Sequence, residues 1–358
     1  MLTAEGCRTR RQRFLNGLQP TETVYLADPN HLRYFANFYV EPLSLGAEYG
    51  GVLAIHPNGS TTLYHDNRLP KTVEQAHVDE RVPLTWYDGQ SPQRGPRGAF
   101  LLQCLPIRVS RIHDSLTEPT SPAIYELVAG LRRRKDPDEI ALLRQCMRAT
   151  EAGQAWGRAN IAPGLTELDV YAGVCRAVYE ALGHWAVVYG DFTVTSGRKR
   201  GGAPTAHVLQ KGETFILDFS VVVQGYRSDF TNTLVVGGEP TTEQQRLFDL
   251  CVQALKAGEA QLKPGNPCQT VYDAIHGTFA AAGMADFFPT HAGHGLGLAH
   301  PEPPYIVRHS IETLAIGDVV TLEPGLYVGN TGIRIEHNYL ISDSGFERLS
   351  NHVISLCQ

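Results

Sequence analysis

Residues 214–236, TFILDFSVVVQGYRSDFTNTLVV, decide the fold. Two β-rich runs flank a short turn near Val223, Gln224 and Gly225, and each run carries one aspartate, Asp218 and Asp229. Positions equidistant from a hairpin turn lie opposite one another, with Cβ atoms roughly 5 Å apart, so the two carboxylates are expected face to face. Phe215, Leu217, Val221, Phe230 and Leu234 would bury them, and burying an uncompensated charge is costly enough to invite a cation. Taken alone, the pair reads first as a solvent-facing couple on an edge hairpin.

A second hairpin of the same design changes that reading. The run 319–341, VVTLEPGLYVGNTGIRIEHNYLI, sets Glu323 and Glu336 symmetrically about Gly329-Asn330, a pair suited to a tight turn. Between the hairpins lies HAGHGLGLAHPEPP, residues 291–304, which contains His294. Two Asp, one His and two Glu form an oxygen-rich set with one imidazole, the composition expected for two Mn-, Co- or Zn-like ions sharing bridging carboxylates.

With these residues the chain resembles the metallopeptidases of the pita-bread fold: methionine aminopeptidase, aminopeptidase P and prolidase. The matching pieces are the two aspartates ending in GYRSDFT, then GHGLGL, EPGLY and GIRIE, in register over about 120 residues. The resemblance implies an α+β chain. A curved antiparallel sheet covered by helices, with pseudo-twofold symmetry, would follow a smaller α/β N-terminal domain. It implies that Asp218 chelates one metal, that His294 and Glu323 chelate the other, and that Asp229 and Glu336 bridge the two. Glu323 would also be the general base, taking a proton from a metal-activated water and passing it to the leaving nitrogen. Thr231 and Tyr226 are candidates to steady Asp229, and His337 follows Glu336 where relatives commonly have an acidic residue or an amide.

Substrate recognition departs from the family. The histidine that relatives carry upstream of the first aspartate aligns with Gly201, and His207 is the nearest replacement. The later family histidine aligns with Pro301, with His300 one place earlier. His300 and His207 are therefore the candidate catalytic helpers. Relatives often place an arginine where this chain has Tyr305; Arg308 could substitute for it, and Arg334 matches a family arginine near Glu336.

At 358 residues, 42% apolar and 19% charged, the chain is long enough for two domains with a sizeable core. A formal net charge of −6 without a long basic run argues against nucleic acid or an anionic membrane as partner. The clusters Arg8 to Arg13, Arg132 to Lys135 and Arg198 to Arg200 read as solvated faces. No apolar run reaches the roughly 18 residues of a membrane span, and the N-terminus has no apolar signal core, so a cytoplasmic protein is expected. Seven scattered cysteines read as reduced thiols. Residues 1–133 are expected to form the N-terminal domain, with strand-like runs TVYLAD, GVLAIHP, TTLYHD and GAFLLQCL, helices near Arg11 to Leu18 and Leu69 to His77, and surface histidines at 56, 65 and 113. Residues 134–358 are the expected catalytic domain. It should open with a helix from about Asp136 to Asn160, followed by a capping box at Thr166–Asp169 and a helix over Glu243 to Leu262.

The function expected is hydrolysis of Xaa-Pro bonds in small peptides by a dipeptidase of the prolidase type with two divalent ions per chain, manganese ahead of cobalt or zinc. The alternatives are an aminopeptidase P, a hydrolase of a non-peptide C–N or P–O bond, and a metal-binding module without turnover. A homodimer follows from the resemblance alone.

Overall fold

A computed structural model describes residues 1–40, 50–93, 95–105, 121–289 and 291–357. His113 lies outside these residues. The chain divides into two compact units, residues 1–132 with 136–138, and residues 133–135 with 139–358.

The first unit holds α1 (Ala4–Leu18), β1 (Val24–Leu26), α2 (Pro29–Ala36), β2 (Gly51–Ile55), β3 (Thr61–Asp66), α3 (Pro70–Glu74), β4 (Glu80–Leu84), α4 (Arg97–Cys104) and most of α5 (Pro122–Arg133). Its sheet runs β1-β2-β3-β4, with β4 parallel to β3 and the other pairs antiparallel. Strand β4 escapes sequence reading because ERVPL is polar and carries Pro83, which is tolerated at this sheet edge. GAFLLQCL is a helix, not the expected strand. A short continuous apolar run fits a buried helix as well as a strand, and Leu101 and Leu102 pack here against Tyr25, Val52 and Ala54. Two further expectations are corrected. His65 is buried, with Nδ1 2.9 Å from the Asp66 carbonyl, rather than superficial. Arg10 and Arg11 are buried in place of forming a solvated face, donating to the carbonyls of Tyr34 and Phe35, with Arg10 also on Asp138.

The second unit begins with α6 (Pro137–Asn160) and α7 (Glu167–Leu182), followed by β5 (Val187–Val194), β6 (Thr214–Val223), β7 (Tyr226–Arg227) and β8 (Phe230–Val235). Strand β6 pairs antiparallel with β5, β7 and β8. Next come α8 (Thr242–Glu259), α9 (Cys268–Ala281), β9 (Gly293–Gly295), β10 (Glu302–Ile306), β11 (Val319–Leu322), β12 (Gly325–Val328), β13 (Thr331–Arg334), β14 (His337–Ser342) and β15 (Gly345–Arg348). The second sheet runs β10-β9-β11-β14-β15, and β12 pairs with β13.

Helix α6 reaches β6 because Gly153 and Gly157, one turn apart, leave room for it. A Cβ on Gly157 would lie 2.4 Å from Leu217 Cδ2, and one on Gly153 would lie 2.7 Å from Phe219 Cζ. Buried Gln154, between them, donates from Nε2 to the carbonyls of Leu217 and Phe230, satisfying β6 from its helix side. Leu217 and Phe219 therefore face α6 and, by strand alternation, Asp218 and Ser220 face the other way. Helices α8 and α9 cover the second hairpin, with Leu247, Cys251 and Ile275 packed among Leu322, Leu326 and Ile333. Helix α7 starts with the expected capping box. Its buried Glu167 accepts from the Val194 N–H at 2.8 Å and from Thr205 N and Oγ1 at 2.9 and 2.6 Å, tying the segment after β5 to the helix start. All seven cysteines are free thiols.

Candidate metal centre

The first hairpin closes through Gln224 and Gly225, both in the left-handed region at φ 51° and 88°, which suits the right-handed twist of the paired strands. Val223 pairs with Tyr226, so Asp218 falls opposite Thr231 and not opposite Asp229. The expected face-to-face aspartates are thus two residues out of register, because the turn is centred one residue later than assumed. Alternation still keeps both on one face. Ser220 Oγ is 3.3 Å from Asp229 Oδ1.

In the second hairpin Gly325 pairs with Arg334 and Leu322 with His337, so Glu323 and Glu336 lie opposite each other at a break in the ladder. The Glu323 N–H donates to the Ala292 carbonyl at 2.9 Å, and the Glu336 N–H to the Thr231 carbonyl at 3.0 Å. Thr231 Oγ1 donates to Glu336 Oε2 at 2.7 Å, so it steadies Glu336 rather than Asp229. Tyr226 is turned away onto Glu139, and His337 onto Ser350.

One carboxylate oxygen each from Asp218, Asp229 and Glu336 lies within 4.8 Å of the others. Burial raises Asp218 to about 7; the charges of Asp229, Asp191 and Glu323 push the same way, and Arg334 opposes them. Burial and the charges of Asp229, Glu323 and Asp218 lift Glu336 well above the carboxylate range. Among the described residues Glu336 Oε1 is buried with no hydrogen-bond partner. An orphaned oxygen among crowded carboxylates is the fit expected of a divalent cation site.

Histidines gather on the Glu323 side. His294 Nδ1 lies 2.9 Å from the Gly295 carbonyl, which fixes the proton on Nδ1 and leaves the Nε2 lone pair facing the site. That Nε2 is 3.4 Å from Glu323 Oε1 and 3.6 Å from Asp229 Oδ2. Burial lowers the His294 pKa. His291 Nε2 lies 2.9 Å from Glu323 Oε1, and that hydrogen bond raises its pKa. Burial alone would raise Glu323; the hydrogen bond from His291 and the charges of His291, His294 and Arg334 outweigh it and hold Glu323 at about 2.

His300 is brought in. Its Nε2 lies 2.7 Å from Asp229 Oδ2, and its Nδ1 is 3.4 Å from the hydroxyl of Tyr189, which accepts from Arg227 Nη1 at 3.0 Å. Buried Lys135 donates to Glu302 at 2.8 Å and fastens the loop behind His300, so this part of the second basic run is no solvated face either. Arg334 Nη2 donates to both Asp218 and Asp191, while its Nη1 donates to Tyr327 OH at 3.0 Å. All of these except Arg227, Lys135, Glu302 and Tyr327 line a cavity of about 240 Å³.

Three expected substrate or helper residues are placed elsewhere. His207 lies on an exposed loop with Nε2 3.0 Å from Glu213, Arg308 points Nη2 to His276 on α9, and Tyr305 is exposed; none of them lines the cavity. Gly201, where relatives carry histidine, abuts Asp191, and a Cβ there would lie 1.9 Å from Asp191 Oδ2. Asp191 itself went unread. It pairs with Asp218 across β5 and β6, but the intervening segment 195–213 hides that register in the sequence. His291 was also missed, although it stands three residues before His294 in the segment already singled out.

Residues 141–343 match metallopeptidase family M24. An uncharacterised peptidase of Staphylococcus saprophyticus is 30% identical over 349 residues, covering 93% of this chain and 96% of its own length. Among solved structures, an Xaa-Pro dipeptidase from Bacillus anthracis superposes with a TM-score of 0.78 at 22% identity, covering 98% of this chain and 99% of its own. An X-Pro aminopeptidase from Thermotoga maritima gives 0.77 at 19% identity, with 100% and 99% coverage. At these identities the structural likeness is one of fold, the two-domain pita-bread architecture.

Proposed function

Because the chain belongs to metallopeptidase family M24, we propose that it hydrolyses Xaa-Pro peptide bonds, as a dipeptidase of the prolidase type, at a centre for two divalent ions. Asp218, Asp229, His294, Glu323 and Glu336 would hold the ions. The observation that carries this reading is the unpartnered, buried Glu336 Oε1 amid carboxylates that burial and mutual repulsion push upward. Manganese is the proposed ion for so carboxylate-rich a set, with cobalt and zinc as alternatives. The reading carries a homodimer with it. Among the described residues no helix is long and apolar enough to cross a membrane.

When bound, such ions supply charge that polarises a carbonyl and lowers the pKa of water to about 7. Glu323 is kept ionised by the imidazoles around it, so it meets an ion or a water as a carboxylate at neutral pH. His294 is held by its own Nδ1 contact with the Gly295 carbonyl and presents only Nε2. Arg334 sets the orientation of Asp218 and is itself aligned by Tyr327 and Asp191. His300 stands between Asp229 and Tyr189 at the cavity wall, where its imidazole can donate a hydrogen bond to the group being cleaved.

A cavity of about 240 Å³ is below the roughly 300–1,000 Å³ of sites for drug-sized ligands and suits a dipeptide. An aminopeptidase P-type preference is the second reading, favoured by one observation. Tyr305 and Arg308 do not line the cavity and Arg334 is already engaged, which leaves a dipeptide's carboxylate without a dedicated arginine there. Hydrolysis of Leu-Pro, Ala-Pro, Ala-Pro-Ala and Leu-Leu with added Mn²⁺ decides between them. Cleavage of Leu-Pro and Ala-Pro ahead of the others supports the dipeptidase; cleavage of Ala-Pro-Ala alone supports the aminopeptidase. Failure to cleave any of the four rejects both.

A further inference from the structure

We propose that His291 is a sixth ligand of the centre, joining His294 and Glu323 on one of the two ions, so that one ion position is imidazole-rich while the other is held by oxygens alone. This rests on the two-ion reading above. The family resemblance gives His291 no part, and the sequence points to His294 alone as a ligand in this segment.

The geometry comes from three donor atoms. His291 Nε2 is 2.9 Å from Glu323 Oε1, His294 Nε2 is 3.4 Å from the same oxygen, and all three lie within 4.8 Å of one another. Ligands bound at ~2.0–2.2 Å around one ion sit roughly 2.9–3.5 Å apart, whether the arrangement is octahedral or tetrahedral. The two spacings to Glu323 Oε1 are therefore those of neighbouring corners of one coordination shell. The rings stand at 63° to each other with centroids 5.4 Å apart, so they meet edge to face and do not stack, and both Nε2 atoms approach the same Glu323 oxygen. His291 is also the one imidazole of the pair with an exposed flank, at 43% side-chain exposure, which puts it at the mouth of the cavity where an ion enters. The opposite trio, Asp218, Asp229 and Glu336, offers only oxygens. Imidazole suits zinc, cobalt and nickel, while carboxylate suits manganese and magnesium, so the two positions should differ in the metals they retain.

The test uses the full-length protein stripped of metal and given one equivalent of Co²⁺, with X-ray absorption reading the number of imidazoles around the ion and calorimetry its affinity. In the wild type the first cobalt should show two imidazoles. His291→Ala should show one and bind more than tenfold more weakly, with added imidazole restoring the second nitrogen scatterer. His291→Gln, which keeps a polar side chain at the rim, should also show one, and the melting temperatures of both metal-free variants should match the wild type. A wild-type ion with a single imidazole, or a count unchanged in both variants, overturns the assignment even if turnover falls, because a residue that only steadies Glu323 would alter activity without altering that count. A wild-type protein that takes up no cobalt overturns the two-ion reading itself and this assignment with it.

Discussion

The two sides of the cavity differ although both are built from hairpins with two-residue turns. On the Asp218 side three carboxylates crowd together, and burial drives Asp218 to about 7 and Glu336 well above the carboxylate range. On the Glu323 side the equally buried carboxylate is held at about 2, because His291 and His294 stand against it. The contrast is one of neighbours rather than of depth. Buried carboxylates on a hairpin are driven to hold a proton or a cation where anions surround them, and stay ionised where imidazoles are delivered to them; here His294 is delivered by the short strand β9 lying between β10 and β11. Among the described residues Arg334 is the one guanidinium lining the cavity, and it is engaged on the anionic side, between Asp191 and Asp218.

The strongest break in this contrast is at Glu323. Glu323→Gln keeps an oxygen for an ion but cannot accept a proton, so turnover should fall by about 10² to 10⁴ in fully loaded protein. Steady-state rates alongside elemental analysis check it, and more than a tenth of wild-type activity in a loaded variant would remove Glu323 as the base. A smaller loss is expected at His300, which faces the anionic side through Asp229. His300→Ala should lower kcat/KM by about 10², corresponding to ~2.7 kcal/mol, with metal content and Tm nearly unchanged. Wild-type rates in that variant would leave the imidazole without a part in the reaction.

The smallest effect is on stability, and it carries a definite sign. Asp218 holds its proton more tightly folded than unfolded, since its pKa rises from 3.8 to about 7. Its favourable contribution is therefore complete at low pH and is lost as pH rises from about 4 through about 7. Glu323, lowered to about 2, contributes in the opposite sense only below pH 4.5 and so does not mask this at neutral pH. Metal-free protein should melt at lower temperature at pH 8 than at pH 6, and the difference should shrink in Asp218→Asn. A Tm of the metal-free wild type that rises over that interval would show that the carboxylates are not crowded as described.

Both hairpins were legible because Gln224-Gly225 and Gly329-Asn330 sit between β-rich runs, and the helix starts at Pro137 and Thr166 because proline and a capping box mark them. The detail of register was not. A one-residue error in centring the first turn moved the partner of Asp218 from Thr231 to Asp229, and nothing in the chain between β5 and β6 reveals that Asp191 lies beside Asp218. Side-chain destinations were least legible. His207 and His300 look equally able to replace a missing histidine in the sequence, and only the fold turns one to Glu213 and the other to Asp229. Arg10 reads as a surface charge because its partners, Asp136 and Asp138, stand more than a hundred residues away.

Metal stoichiometry tests the central claim most directly. Elemental analysis of the purified chain after loading with Mn²⁺ should find two ions per chain, and Asp218→Asn should lower that number. One ion or fewer in the wild type, unchanged by Asp218→Asn, would contradict the account.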